Sequence, residues 1–220
     1  VAFLWQRRRM YVSHFLGMSI VGILSYGFYA WIPTMFIRTW GWTIQEIGLA
    51  YGVLTLISGP LAVIAAAKTS EAFSRRGYQD AHMRTALWGS LIGIVFAVAT
   101  PLMPHPYLSL IMLLPVSVGT SAATAAGLAA LMMVTPNQMR AQTSAVYFFV
   151  VNILGLTIGP TGIALFTDYV FRDDAMLRYS VASVSVMAGL FAAGFLVYNL
   201  RHYAASYEEA KNWAEDSADG

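Results

Sequence analysis

Long runs without a charged side chain dominate this sequence. Met10–Ile37, Ile47–Ala67, Thr85–Met139, Ala141–Thr167 and Tyr179–Leu200 contain no Asp, Glu, Lys or Arg. A helix needs about 20 apolar residues to cross about 30 Å of hydrocarbon at about 1.5 Å per residue. Four of the runs therefore hold one crossing each. The third is too long for one, and Pro101, Pro104 and Pro106 divide it because proline cannot continue the helical hydrogen-bond ladder. The pattern predicts an all-α integral membrane bundle of six helices within residues 1–203, at 11–37, 44–67, 83–100, 107–134, 141–166 and 177–202.

Local chemistry marks the ends of these spans. Thr43-Ile44-Gln45-Glu46 reads as a capping box that satisfies orphan amides and sets a carboxylate at the positive end of the second helix. Asp173 and Asp174 stand in the same place before the sixth. Trp31, Trp40 and Trp42 gather at one membrane boundary, Trp5 and Trp88 near the other, as amphipathic rings prefer. The first span is too long to be the core of a cleaved leader.

Basic residues set the orientation. With the N-terminus inside, Arg7, Arg8, Arg9, Lys68, Arg75, Arg76, Arg84, Arg140, Arg201 and Lys211 fall on the inner side, and only Arg38, Arg172 and Arg178 on the outer. The positive-inside rule predicts a multi-pass protein of the cell (inner) membrane with both termini cytoplasmic. Beyond Arg201 the character changes. Residues 204–220 form an acidic cytoplasmic tail, with Glu208, Glu209, Glu215, Asp216 and Asp219 against Lys211, and Tyr207, Ala210 and Trp213 are spaced for a short surface helix.

Composition narrows the function classes. Only 11% of the 220 residues are charged and 58% are hydrophobic, against roughly 25% charged in soluble domains; the mean hydropathy is +0.60. A disordered chain, a nucleic-acid binder built on basic patches and an ordinary water-soluble enzyme are excluded, and a net charge of +2 argues for no polyanion partner. The absence of cysteine removes disulfides, thiolate metal sites and cysteine nucleophiles. His14, His82, His105 and His202 lie at different depths and form no metal set. Walker A, the zinc-protease HExxH and the Gly-x-Ser-x-Gly elbow are all missing. No cofactor, metal or enzymatic activity is expected. The sequence opens on Val1, and a piece of something longer is expected.

Small residues concentrate in three spans. Gly48, Tyr51, Thr55, Ser58, Gly59 and Ala62 lie near one face of the second, Gly119 to Gly127 is almost wholly small in the fourth, and Gly155 to Gly162 is rich in glycine in the fifth. Such residues allow close helix contact in lipid, where no hydrophobic force drives association. Pro60, Pro115 and Pro160 each remove a backbone hydrogen bond inside a span, a break tolerated where neighbours or water repair it.

Taken with the residues at particular positions, this arrangement resembles one half of a major facilitator superfamily transporter. The loop Ala66-Ala67-Lys68-Thr69-Ser70-Glu71-Ala72-Phe73-Ser74-Arg75-Arg76-Gly77 is similar to the family's signature after the second helix of each half, without its usual glycine and aspartate but with Arg-Arg-Gly kept. Gly155-x-x-x-Gly159-Pro160-x-Gly162 is similar to the pattern of the fifth helix, and Arg140 fits a common family position. The Arg7–Arg9 cluster and the acidic tail resemble the C-terminal half. Tyr29-Ala30-Trp31-Ile32-Pro33-Thr34-Met35-Phe36 with Trp40-Gly41-Trp42 is similar to the seventh-helix ending of spinster-like members and organic-anion symporter relatives.

The resemblance implies that the first and fourth helices face a central cavity flanked by the second and fifth. Substrate-pathway candidates are then His14, Ser25 and Tyr29 on the first span, Tyr51 and Thr55 on the second, Ser117, Thr120, Ser121 and Thr124 on the fourth, and Asn152 on the fifth. Those of the first span, with Met18 and Phe28, recur close to the 3.6-residue period. A competing reading has each hydroxyl bonding back to its own helix or across a seam. His14 is either a neutral boundary histidine or a proton-coupling or substrate-binding group. Glu71, Arg75, Arg76 and Arg140 are the cytoplasmic gate candidates. With no Asp or Glu in mid-membrane, coupling acids are expected in another part of the transporter.

The expected function is that of the C-terminal half of a secondary transporter, a symporter or antiporter, that moves a small organic solute, anionic or lipid-like, by alternating access. Its partners would be the lipid bilayer, the solute and an N-terminal six-helix half or a second copy. The alternative is a non-transporting six-helix membrane protein that scaffolds partners or self-associates through its glycine seams.

Overall fold

The computed structural model describes residues 5–216, and they form the six-helix bundle expected from the charge-free runs. The helices are α1 (Arg8–Trp40), α2 (Ile44–Arg75), α3 (Ala81–Leu102), α4 (Pro106–Met133), α5 (Arg140–Leu165) and α6 (Leu177–Asp216). Short 3-10 turns at Asn137–Met139 and Asp174–Met176 precede α5 and α6, and a π-helical turn, Phe166–Phe171, follows α5. All six helices are long and apolar enough to cross a membrane. Most extend beyond the spans read from hydropathy, because a helix continues past the hydrocarbon into the interface wherever no breaker stops it.

The breakers act locally. Gly41 closes α1 in the left-handed conformation, φ 70°, where a side chain would be strained, and its N–H donates to the Ile37 carbonyl at 3.0 Å. Two residues later the capping box of α2 forms: the Glu46 N–H donates to Thr43 Oγ1 at 3.3 Å, and the Thr43 N–H to Glu46 Oε2 at 2.8 Å. Pro106 starts α4, where its missing N–H costs nothing. Past α5, Arg172 takes φ 54° and ends the π turn. Pro60, Pro115 and Pro160 stay inside continuous helices, as do Pro33 and Pro101. Trp31 Nε1 donates to the Pro160 carbonyl at 2.9 Å, tying α1 to α5 beside that break.

Two seams of glycine hold helix pairs together. Across α3 and α4, a Cβ on Gly119 would stand 2.7 Å from both the Gly89 carbonyl oxygen and the Gly93 nitrogen. Across α1 and α5, Gly22 and Gly27 face Gly155 and Gly159 in the same way. The seams expected in the fourth and fifth spans are thus present. That of the second is not: nothing lies within 4 Å of a Cβ on Gly48, Gly52 or Gly59, so the small residues of α2 leave an open face there.

Around these seams α1 is central, packing on α5 and α6 and also on α4 and α2. One apolar cluster, with Met10, Met83, Leu131 and Tyr203, fills the end that carries the termini, and a second, with Ile32, Met35, Phe36 and Leu177, fills the other. Buried polar ties cross between helices. The Tyr203 hydroxyl donates to the Ala130 carbonyl at 2.9 Å, and Asn199 Nδ2 to the Met10 carbonyl at 2.7 Å and Ser13 Oγ at 2.9 Å. At the opposite end the Arg178 guanidinium donates to the Pro101 and Met103 carbonyls at 2.9 and 3.1 Å, satisfying acceptors left over where α3 stops. The exposed pair Arg38–Asp174, 3.3 Å apart, adds little to this.

Residues 204–216 continue α6 as helix rather than leaving it for a separate tail. Asp219 and the side chains of Glu209, Lys211, Trp213, Glu215 and Asp216 lie outside what is described.

Candidate functional site

Midway along the bundle, α1, α2 and α4 part to leave a cleft of about 110 Å³. It exists because the facing positions are short or aromatic. Ser25 on α1, Thr55, Ser58 and Gly59 on α2, and Ser117 and Ser121 on α4 leave room that leucine would fill, while Phe28, Tyr29 and Tyr51 form a rigid wall. The Tyr29 and Tyr51 rings stand 5.6 Å apart at 51°. In sequence these positions fall slightly beyond the middle of each span, toward the end opposite the termini.

Hydrogen bonding divides the hydroxyls of the cleft into two sets. The first set bonds back to its own helix: Ser25 to the Val21 carbonyl at 3.0 Å, Thr55 to Tyr51 at 2.8 Å, Thr120 to Val116 at 2.9 Å and Ser58 to Thr55 at 3.2 Å. Their protons are used, but their oxygens can still accept. The second set, Ser117, Ser121, Tyr29 and Tyr51, has no side-chain hydrogen bond to protein among the described residues. Four hydroxyl donors therefore converge on one cleft with nothing in the chain to satisfy them. No charged side chain lines it among the described residues, so the chemistry it offers is neutral hydrogen bonding plus aromatic faces.

Seven of the ten pathway candidates meet here: Ser25, Tyr29, Tyr51, Thr55, Ser117, Thr120 and Ser121. Three do not. Thr124, one turn further along α4, bonds to the Thr120 carbonyl at 2.9 Å. Asn152 accepts a short hydrogen bond from Tyr26 and donates to the Phe148 carbonyl, serving the contact between α1 and α5. His14 is fully buried, its ring 5.8 Å from that of Tyr147 and near the Asn199 side chain and the Gly127 backbone, with neither nitrogen in hydrogen-bonding geometry. It lies in the packed end of the bundle among α1, α4, α5 and α6, away from the cleft.

The gate candidates are dispersed. Glu71 and Arg75 pair with each other on the exposed side of α2 at 2.6 Å, Arg76 occupies the C-cap of the same helix, and Arg140 Nε donates to the Thr135 carbonyl at 3.2 Å, just past α4. The better buried acid at this end is Asp80, which accepts from Arg84 Nε at 2.6 Å while that guanidinium lies 4.1 Å from the centre of the Tyr78 ring. The loop pattern drew attention to Glu71; the spacing of Asp80 and Arg84, four residues apart on one helix face, was the available signal for this second pair. Among the described residues no three His, Cys, Asp or Glu side chains gather as a metal set.

No family profile matches the chain. It is 24% identical over 208 residues to an MFS-type efflux pump of Mycolicibacterium smegmatis, covering 89% of this chain and 46% of that protein. Its fold matches crystal structures of a bacterial homologue of the human lysosomal transporter Spinster. The inward-facing unoccupied form gives a TM-score of 0.64 at 18% identity, covering 90% of this chain and 47% of that one. The inward-facing occupied form gives 0.64 at 17%, covering 91% and 49%. The chain thus spans about half the length of the relatives it matches, and those relatives are transporters.

Proposed function

From a chain with the fold of one six-helix half of a major facilitator superfamily transporter, we propose that it forms the C-terminal half of a secondary transporter whose solute passes the cleft between α1, α2 and α4 by alternating access. The observation that carries this reading is the convergence of four unpartnered hydroxyls at Tyr29, Tyr51, Ser117 and Ser121 near mid-membrane. Hydroxyls with no partner in the chain offer donors to whatever enters the cleft, so such a site favours an occupant that makes hydrogen bonds. The other half packs against the open sides of the bundle. Only 22% of the most apolar window of α2, and of α5, is buried, against 50% for α1. Both termini lie in the cytoplasm, as the basic residues at that end of the helices favour.

The cleft favours a neutral, amphipathic organic solute over an anion, since this half supplies hydroxyls and aromatic faces but no cation. An anionic solute would need its countercharge from the other half, where the coupling acids also belong. The test is transport by the full-length protein in proteoliposomes, across neutral amphipathic and anionic solutes, with and without an imposed pH gradient. Gradient-dependent accumulation of a neutral amphipath is expected. Failure to move any solute under either condition would instead favour the self-associating scaffold.

A further inference from the structure

At the end of the bundle that carries the termini, the start of α1 and the last turns of α6 enclose a cleft of about 380 Å³ that the transport reading does not use. Arg7, Arg8, Arg9 and Arg201 line it together with His202, and no carboxylate does among the described residues. Arg9 and Arg201 directly border the charge-free runs Met10–Ile37 and Tyr179–Leu200, so the cleft sits at the edge of the hydrocarbon. Arg9 and Arg201, one on each helix, bring positive charge to the cleft at that depth, which suits a partner of opposite charge. Guanidinium also matches phosphate oxygens in geometry.

A second, apolar hollow of about 380 Å³ lies along α6, lined by Leu190, Phe191, Gly194, Phe195 and Tyr198. Gly194 makes it: nothing lies within 4 Å of where its Cβ would be. The hollow and the arginine cleft are consecutive on the helix surface, because 191, 194, 195, 198, 202 and 205 follow the three- and four-residue steps of one helical face. They meet where the Tyr198 and His202 rings pack at 4.5 Å. From Leu190 to Arg201 the helix rises about 16 Å, close to the ~15 Å depth of one leaflet. A basic cleft and an apolar surface hollow thus follow one another along α6 over about the depth of one leaflet.

We propose that this composite groove is a binding site for an anionic glycerophospholipid, its phosphate held by Arg9 and Arg201 and one acyl chain laid along α6 over Gly194. Basic pockets between transmembrane helices bind such headgroups, and here the groove supplies the apolar half of the molecule as well. The site depends on the chain spanning a membrane and not on what the central cleft carries.

Native mass spectrometry of the full-length protein, taken from bilayers holding equal phosphatidylglycerol and phosphatidylcholine, tests it. The wild type is expected to retain phosphatidylglycerol preferentially. The double variant Arg9→Gln, Arg201→Gln is expected to lose that preference by about 30-fold, the effect of two arginines near an anionic surface. Gly194→Trp keeps every arginine but fills the apolar hollow, and should also retain less phosphatidylglycerol. Soluble glycerol phosphate, which has the head chemistry without the chain, should not displace the lipid. Equal retention of the two lipids by the wild type, retention unchanged in both variants, or displacement by glycerol phosphate would each overturn the assignment.

Discussion

Gly119→Leu is expected to be among the most damaging single substitutions in the bundle. The position it would fill lies 2.7 Å from the Gly89 carbonyl oxygen and 2.7 Å from the Gly93 nitrogen. Both obstacles are backbone, so no rotamer change relieves them and α3 and α4 must separate. That contact belongs to one of the broadest helix pairings in the molecule. Close packing is also the main attraction available to helices in lipid. Overpacking a tight site costs about 1–3 kcal/mol, and a leucine against two backbone strands of atoms belongs at the upper end, about 3 kcal/mol. On the scale of soluble domains of this size that corresponds to a fall of about 6–12 °C in Tm. Gly194→Leu is the matched control, because its Cβ meets nothing within 4 Å. Thermal unfolding of the two variants in the same detergent should separate them clearly; equal losses would mean that the α3–α4 seam is not as close as described.

Ser117→Trp is expected to abolish transport while leaving the fold intact. Ser117 lies on the α4 wall of a cleft of only about 110 Å³, facing Tyr29 and Tyr51. An indole there occupies the space that the solute would take and buries the unpartnered hydroxyls behind an apolar ring. Since the position is half-buried beside an open cleft, the ring can enter without forcing helices apart. Val95→Trp, on the exposed apolar side of α3 where Val95 is 63% exposed, should transport normally. Uptake into proteoliposomes, set beside the thermal unfolding of the same preparations, checks both. Normal uptake by Ser117→Trp would exclude the cleft from the solute pathway.

The sequence made the spans legible because lipid leaves so few ways to place a charge. Five charge-free runs and three prolines sufficed to count six helices, and Trp40-Gly41-Trp42 followed by the Thr43 box marked a boundary that the structure reproduces almost to the residue. The cleft was partly legible for a related reason. Ser25 and Tyr29, then Ser117, Thr120 and Ser121, repeat at helical spacing, so an assumption about which helices face inward brought them together.

What periodicity could not supply was the neighbour at each depth. His14 falls on nearly the same face of α1 as Ser25, three turns away, yet at Ser25 that face opens on α2, whereas at His14 it meets α4, α5 and α6 near Gly127, Tyr147 and Asn199. Small residues carried the same ambiguity. Gly119 and Gly159 sit against backbone while Gly48 and Gly59 face open space, and nothing in their own sequence context tells a seam from a vacant face. Asn152, a polar residue in a span, is equally ambiguous in sequence, and it is Tyr26, on another helix, that occupies it. The groove along α6 was hidden for another reason: its basic part joins Arg9 on α1 to Arg201 on α6, far apart in sequence, and its apolar part reads only as a span.

The absence of cysteine from this sequence makes alternating access directly measurable. In a full-length protein free of other cysteines, Ser117→Cys would be exposed to a small membrane-impermeant thiol reagent added to one side of sealed proteoliposomes at a time. Labelling is expected from either side, with the favoured side reversing when the driving gradient or the solute is changed, and no labelling of Val95→Cys. Labelling of Ser117→Cys from a single side under every condition, or from neither, would contradict it.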